Sequence, residues 1–262
     1  MKALVISESP LEKIGNTYYT VDPWITIPLH FSKVLEKVTL VSPVTEKPPE
    51  TSAQHDSWAI ESSERLNLEH LDYYRRYIEY WKLLPRKFFL WKNKLNSLIA
   101  THDVVILRGP SPISSLARNV SVKNKKPLVL FILGDIATQP DQLYSPNIPK
   151  RYFYKIITKL LLLEEKYTVK KSALVYAYSN EIYQRYKNLN TKIHIVQDPH
   201  VSMSDFIYRD DTCCDSDNNH NKEIKILRIA WLIPSKGIEY LIEAIKILRY
   251  NMGLNIRLEI VG

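Results

Sequence analysis

A chain of 262 residues, 45 % of them hydrophobic and with a formal net charge of +8, is long enough to bury one sizeable core or one core and part of another. The basic balance admits nucleic acid, anionic membrane or phosphorylated ligands as partners, but no nucleic-acid module and no internal repeat can be read. No stretch approaches the roughly 18 uncharged apolar residues of a membrane span, and the run after Met1-Lys2 is too short for a signal peptide.

Cys213 and Cys214 are adjacent and cannot staple distant segments, which fits a reducing compartment such as the cytoplasm. With His220 they lack a further ligand at sensible spacing, so no metal is expected.

In chain order, the apolar runs "KALVIS", "KVTLVS", "DVVILR", "PLVLFIL", "ALVYAYS", "KIHIVQ", "ILRIAWLI" and "RLEIVG" lack apolar/polar alternation. Strands buried on both faces have this pattern, which predicts an α/β protein with a largely parallel sheet. Between them, helices are expected from Trp24 toward Leu35, over Leu68 to Leu84, from Pro85 or Arg86 to Ala100, over Ile113 to Val120, over Pro149 to Lys171 and over Asn180 to Lys187. In the second of these, Leu68, Leu71, Ile78, Trp81 and Leu84 recur at steps that keep one face apolar.

The segment Tyr73 to Leu95 mixes Arg and Lys with Tyr, Trp and Phe. It reads either as a surface for anionic lipids or as helices whose aromatics pack on the sheet. The polar run of residues 203–225 reads as a connector, dividing the chain into an α/β domain over 1–202 and a strand-helix-strand unit over 226–262.

In open α/β sheets ligands bind beyond the carboxyl ends of the strands. Three loops qualify: "SESPLEKIGNTYYT", with Gly15, Asn16, Thr17 and Tyr18; "RGPSPISS", with Arg108; and "GDIATQPDQLY", with Asp135. The first is a sugar-facing surface or a flexible loop. Arg108 meets an anionic acceptor or is a plain surface arginine, and Gly134-Asp135 serves a reaction or a tight turn.

In "WLIPSKGIEYLIEAI", Ser235 is a natural N-cap that places Lys236 and Gly237 in the first helical turn. A cation at the positive end of a helix dipole is unfavourable by about 0.3–1 kcal/mol unless an anion lies between. Free N–H groups, a lysine and a glycine are the parts of a phosphate site, though a solvated lysine at an ordinary helix start fits the same pattern.

"ILRIAWLIPSKGIEYLIEAIKIL" resembles the start of the C-terminal domain of retaining glycosyltransferases of the GT-B fold, family 4. The resemblance implies a Rossmann-like acceptor domain followed by the opening of a second Rossmann-like domain that binds a nucleotide-diphosphate sugar. It implies sugar transfer with retention to a polysaccharide or lipid-linked acceptor, without a metal or other cofactor, in the cytoplasm or at the inner face of the membrane. Carried over by position, Lys236 and Gly237 hold the donor diphosphate, whereas Ala230 and Trp231 stand where Gly-Arg is expected. Asp135 lies where members of the family often keep a polar residue near the transferred sugar. Further donor contacts of the family fall beyond Gly262, so the alternative is a non-catalytic scaffold with an acceptor-side domain and an incomplete donor half.

Overall fold

The computed structural model of the chain describes residues 1–48, 58–74, 77–109, 111–135, 148–196, 223–229 and 237–261. Those up to Val196 belong to one compact unit and those from Glu223 onward to a second.

The first unit is built on β1 (Lys2–Ile6), in which Ala3, Leu4, Val5 and Ile6 are all fully buried. Successive side chains of a strand point to opposite faces. Leu4 and Ile6 therefore enter one core cluster and Ala3 and Val5 another. The parallel neighbours of β1 are β4 (Lys37–Lys47) and β7 (Val104–Gly109). Beyond β4 lies β6 (Leu66–Asp72), and beyond β7 follow β8 (Leu128–Ile132), β9 (Leu174–Ala177) and β10 (Ile193–Ile195), all parallel. The row β6-β4-β1-β7-β8-β9-β10 is a Rossmann-like doubly wound sheet, with its change of direction between β1 and β7.

Helices split between the faces as right-handed crossovers require. After a short 3-10 turn (Pro23–Ile25), α1 (Thr26–Val34) follows, and Trp24 and Ile25 cover the face of Val5, Ile106 and Phe131. The other face is covered by α2 (Tyr77–Thr101), α3 (Pro112–Lys123), α4 (Ile148–Lys171) and α5 (Asn180–Tyr186), which contribute Trp91, Leu95, Ile113, Ala117, Val169 and Ile182.

Three segments differ from the expectations. The "SESPLEKIGNTYYT" loop contains a hairpin of β2 (Leu11–Ile14) and β3 (Thr17–Thr20), extended by β5 (Trp58–Glu61). Its two-residue Gly15-Asn16 connection has Gly15 at φ 61°, which a residue with a side chain rarely adopts. The stretch from Leu68 to Asp72 is strand, not helix. Pairing Val38–Val44 with Leu66–Asp72 buries Leu66, Leu68 and Leu71, and this outweighs the helical spacing. The two helices expected on either side of Pro85 are one helix, α2, with Pro85 inside it.

The second unit comprises β11 (Ile224–Ile229), α6 (Ile238–Tyr250) and β12 (Ile256–Val261), with the two strands parallel. Ile224 and Lys225, assigned by sequence to the connector, already belong to β11. The N-cap of α6 is Gly237, so this glycine precedes the first turn instead of lying within it. Ser235, Trp231, Lys236 and the Cys213, Cys214 and His220 group lie outside the described residues.

Pro85 has no N–H for the carbonyl four residues back, so α2 forgoes one hydrogen bond and survives on the burial of Tyr80, Trp91, Leu95 and Ile99. Pro85→Ala should therefore raise the unfolding free energy by about 1–3 kcal/mol in urea titrations. A loss of stability would show that the helix depends on the proline.

Candidate functional site

The switch point of the sheet brings together the loop after β1 and the end of β7. Ser7 continues the β1 ladder by donating its N–H to the Val41 carbonyl at 3.0 Å, and its Oγ accepts from the Ser9 N–H at 3.1 Å. This bend carries Ser9 across the end of β7, where Arg108 Nη1 donates to both Ser9 Oγ and Asp22 Oδ2. The Arg108 guanidinium also lies 5.4 Å from the Trp24 ring centroid. Asp22 in turn caps the 3-10 turn by accepting from the Trp24 N–H at 3.1 Å.

Arg108 is thus neither a free anion receptor nor a plain surface arginine. Its side chain is 17 % exposed and its charge is balanced by Asp22, so an anionic ligand must compete with that carboxylate. Ser111, buried just after β7, caps α3 through the Ser114 N–H at 3.2 Å, while Ser114 Oγ donates to the Arg108 carbonyl at 2.7 Å. The arginine is held by its own helix start as well as by its ion pair.

Gly15, Asn16 and Thr17 project elsewhere. β1 pairs with Lys37–Val41 of β4 and β2 with Val44–Lys47, so the hairpin tip lies six residues farther along β4, about 20 Å at strand rise. Gly15 and Asn16 are exposed there, and Thr17 Oγ1 donates to Glu61 at 3.2 Å. No hydrogen bond joins this tip to Arg108 among the described residues. One pair back from the hairpin turn, the Tyr18 hydroxyl lies 2.7 Å from His70 Nε2. Burial, with Lys13 and Lys94 nearby, keeps the His70 pKa below the usual histidine value.

Asp135, three residues past β8, forms a two-pronged ion pair with Arg185 of α5 through contacts of 2.7 and 2.7 Å. Hydrogen bonding to Asp135 is the main reason that the Arg185 pKa is raised. A carboxylate with both oxygens engaged by a guanidinium is a poor proton acceptor, and its geometry positions α5 against the β8 loop.

One group has no counterpart in the sequence reading. Glu165 of α4 is 4 % exposed and accepts from the Tyr186 hydroxyl at 2.5 Å, while its other oxygen has no hydrogen-bond partner among the described residues. It lines a cavity of about 20 Å³ with Ser111, Ser114, Thr168 and Leu130, the size of a single water site. Burial pushes its pKa up to about 7, against the smaller opposing pull of Tyr186 and Arg185. Nothing in "LLLLEEKY" distinguishes Glu165 from Glu164, which turns outward to Arg118 at 2.7 Å. Among the described residues no three His, Cys, Asp or Glu side chains gather as metal ligands.

In the second unit, Gly237 adopts φ 62° and ψ 31° ahead of α6, which has no side-chain cap among the described residues. A side chain at this position would be strained, and its Cβ would lie 3.3 Å from Tyr240 Cδ2. The glycine therefore has a backbone reason to be there, and the first amides of α6 have no capping oxygen from it.

No protein-family model and no curated protein matches the chain. Solved structures similar to it include a UDP-N-acetylglucosamine 2-epimerase, at 11 % identity and TM-score 0.44 over 98 % of this chain and 62 % of that one. Another is the UDP-GlcNAc 2-epimerase from Neisseria meningitidis bound to UDP-GlcNAc, at 10 % identity and TM-score 0.42 over 99 % and 66 % of the two chains. A third is a UGT transferase from Siraitia grosvenorii in complex with UDP, at 10 % identity and TM-score 0.45 over 77 % and 52 %. The chain spans less than two thirds of the length of each of these.

The Glu165 carboxyl titrates from 4.5 when free to about 7 when folded, so between these values the folded chain holds more proton than the unfolded one. The stability that the neutral form contributes is complete below pH 4.5 and is lost as the pH rises through about 7. Glu165→Gln, which keeps an acceptor for Tyr186 without a charge, should stabilise the protein above neutral pH by on the order of 3 kcal/mol. Urea unfolding across pH checks this: the variant should lose the corresponding slope, and an unchanged slope would contradict the assignment.

Proposed function

We propose that the chain is part of a GT-B-type glycosyltransferase that moves a sugar, with retention, from a nucleotide-diphosphate sugar to a polysaccharide or glycolipid acceptor. Its place of work is the cytoplasm, at the inner face of the membrane. The doubly wound sheet of the first unit and the parallel strand-helix-strand order of the second support this reading.

The observation that carries it is the start of α6. Gly237, left-handed and without a side chain, opens a helix of 13 residues whose first N–H groups receive no side-chain cap among the described residues. Amides at the positive end of a helix are suited to a phosphate, and Lys236 directly precedes them in sequence. In this reading, donor diphosphate binds the α6 amides and the Lys236 ammonium. As the glycosyl bond breaks, negative charge grows on the departing diphosphate, and these groups stabilise it most where it is greatest. Trp231, in place of an arginine, offers one N–H and no charge, so this burden rests on Lys236 and the amides. No metal takes part in the proposed chemistry. Gly15, Asn16, Thr17 and Arg108 belong to the acceptor side, with Arg108 engaging an anionic acceptor only by exchange with Asp22.

A second reading, a non-catalytic acceptor-side scaffold, is favoured by the commitment of Asp135 to Arg185 and by Glu239, an acid already placed in the first turn of α6. Calorimetric titration with UDP- and GDP-sugars separates the two. The proposal expects binding that weakens at least roughly tenfold in Lys236→Ala, the effect of one charge-assisted contact. Equal binding by both proteins would remove Lys236 from the site, and no binding by either would favour the scaffold.

A further inference from the structure

The helical layer of the first unit has an outer face that the described core does not use. On α4, Ile156, Leu160, Leu163 and Tyr167 are 58, 57, 63 and 47 % exposed. Their spacing of four, three and four residues puts them in one narrow stripe, opposite the buried side of Glu165, Thr168 and Val169. A solvated helix would carry polar residues along this line.

Lys155, Lys159, Lys166 and Lys170, spaced four, seven and four residues apart, run along one flank of the stripe, and all four are exposed. The acids of this stretch do not offset them: Glu164 pairs with Arg118, and Glu165 faces the interior. Between α4 and α5 the flank opens into a groove of about 520 Å³ lined by Lys159, Leu162, Leu163, Lys166 and Leu189. Leucines below ammonium groups match a ligand with an anionic head and an apolar body.

α2 lies in the same layer, since α2 and α4 enter one core cluster on one face of the sheet. Its outer side carries Phe89 and Leu90, 72 and 57 % exposed, beside the exposed Lys82 and Arg86. Tyr80, Trp91 and Leu95 of the same helix pack inward, so the basic-aromatic composition of this segment serves both the sheet and the outer surface. No described helix is long and apolar enough to cross a bilayer.

We infer that this outer face, centred on the Ile156-Leu160-Leu163-Tyr167 stripe, is a docking surface for a bilayer that carries anionic lipids. Exposed apolar side chains bordered by lysines bind such an interface through both burial and attraction to the head groups. A second copy of the chain fits less well, because an antiparallel two-fold pairing of α4 would set the lysine row against itself. The inference deepens the membrane location proposed above and rests on it, but it needs no donor, so vesicle binding and nucleotide-sugar binding can fail independently.

The test is co-sedimentation of the whole 262-residue chain with vesicles of phosphatidylcholine, alone or with one third phosphatidylglycerol, in the absence of nucleotide sugar. Binding should require phosphatidylglycerol, fall with added salt, and weaken roughly fivefold for each of Lys159→Ala and Lys166→Ala. The double variant Leu160→Ser/Leu163→Ser should lose it while keeping the wild-type circular dichroism, since both positions are exposed. Equal binding to the two vesicle types, or undiminished binding by the leucine variant, would overturn the inference. So would a wild-type dimer in analytical ultracentrifugation that the leucine variant dissociates, because the face would then belong to a second copy.

Discussion

Parallel strands can share a sheet only if each connection crosses over one of its faces, and here the crossovers run in opposite directions from β1. This reversal is the constraint on which the first unit depends. It sends α1 to one face and α2, α3, α4 and α5 to the other, and it leaves the carboxyl ends of β1 and β7 side by side. The Ser9, Asp22 and Arg108 cluster occupies that place because no other part of the sheet brings the first strand's loop against a strand about a hundred residues later.

Charge is managed at these strand ends by local pairing. Asp22 balances Arg108, and Asp135 balances Arg185. Each pair is partly buried, so removing one partner would leave the other charge poorly solvated, and the pairs act as braces for the loops that carry them. Glu165 follows a different course: it accepts from Tyr186, has no ion pair among the described residues, and burial raises its pKa to about 7. The same strand-end region thus contains two committed ion pairs and one carboxyl whose charge is sensitive to pH.

What the sequence made legible was the inner sheet. "KALVIS", "DVVILR" and "PLVLFIL" are apolar at every interior position because strands covered on both sides need it, and the interiors of β1, β7 and β8 are largely buried. β6 was hidden because Leu68 and Leu71 also suit a helix, and only the partner β4 decides between them. The β2-β3 hairpin did have a signal, the Gly15-Asn16 pair between two short runs, but the runs are too polar to stand out as strands. At the candidate site, Arg108 and Asp135 were visible as residues at strand ends, whereas their partners Asp22 and Arg185 were not. Those contacts join positions 86 and 50 residues apart, and nothing local to either residue encodes them. The change at Gly237, from first turn to N-cap, is a matter of one residue at a helix end, where local pattern is least decisive.

The functional account rests on anion recognition where α6 begins, with a left-handed glycine as N-cap, the first amides of the helix and a preceding lysine as its parts. Hydrogen–deuterium exchange with and without a nucleoside diphosphate tests this most directly, because it reads the amides themselves. The account predicts slowed exchange in the peptide that spans Gly237 to Leu241, with little change along the rest of α6. Unchanged exchange at Gly237 to Leu241 under saturating nucleotide, or protection confined to other segments, would contradict it.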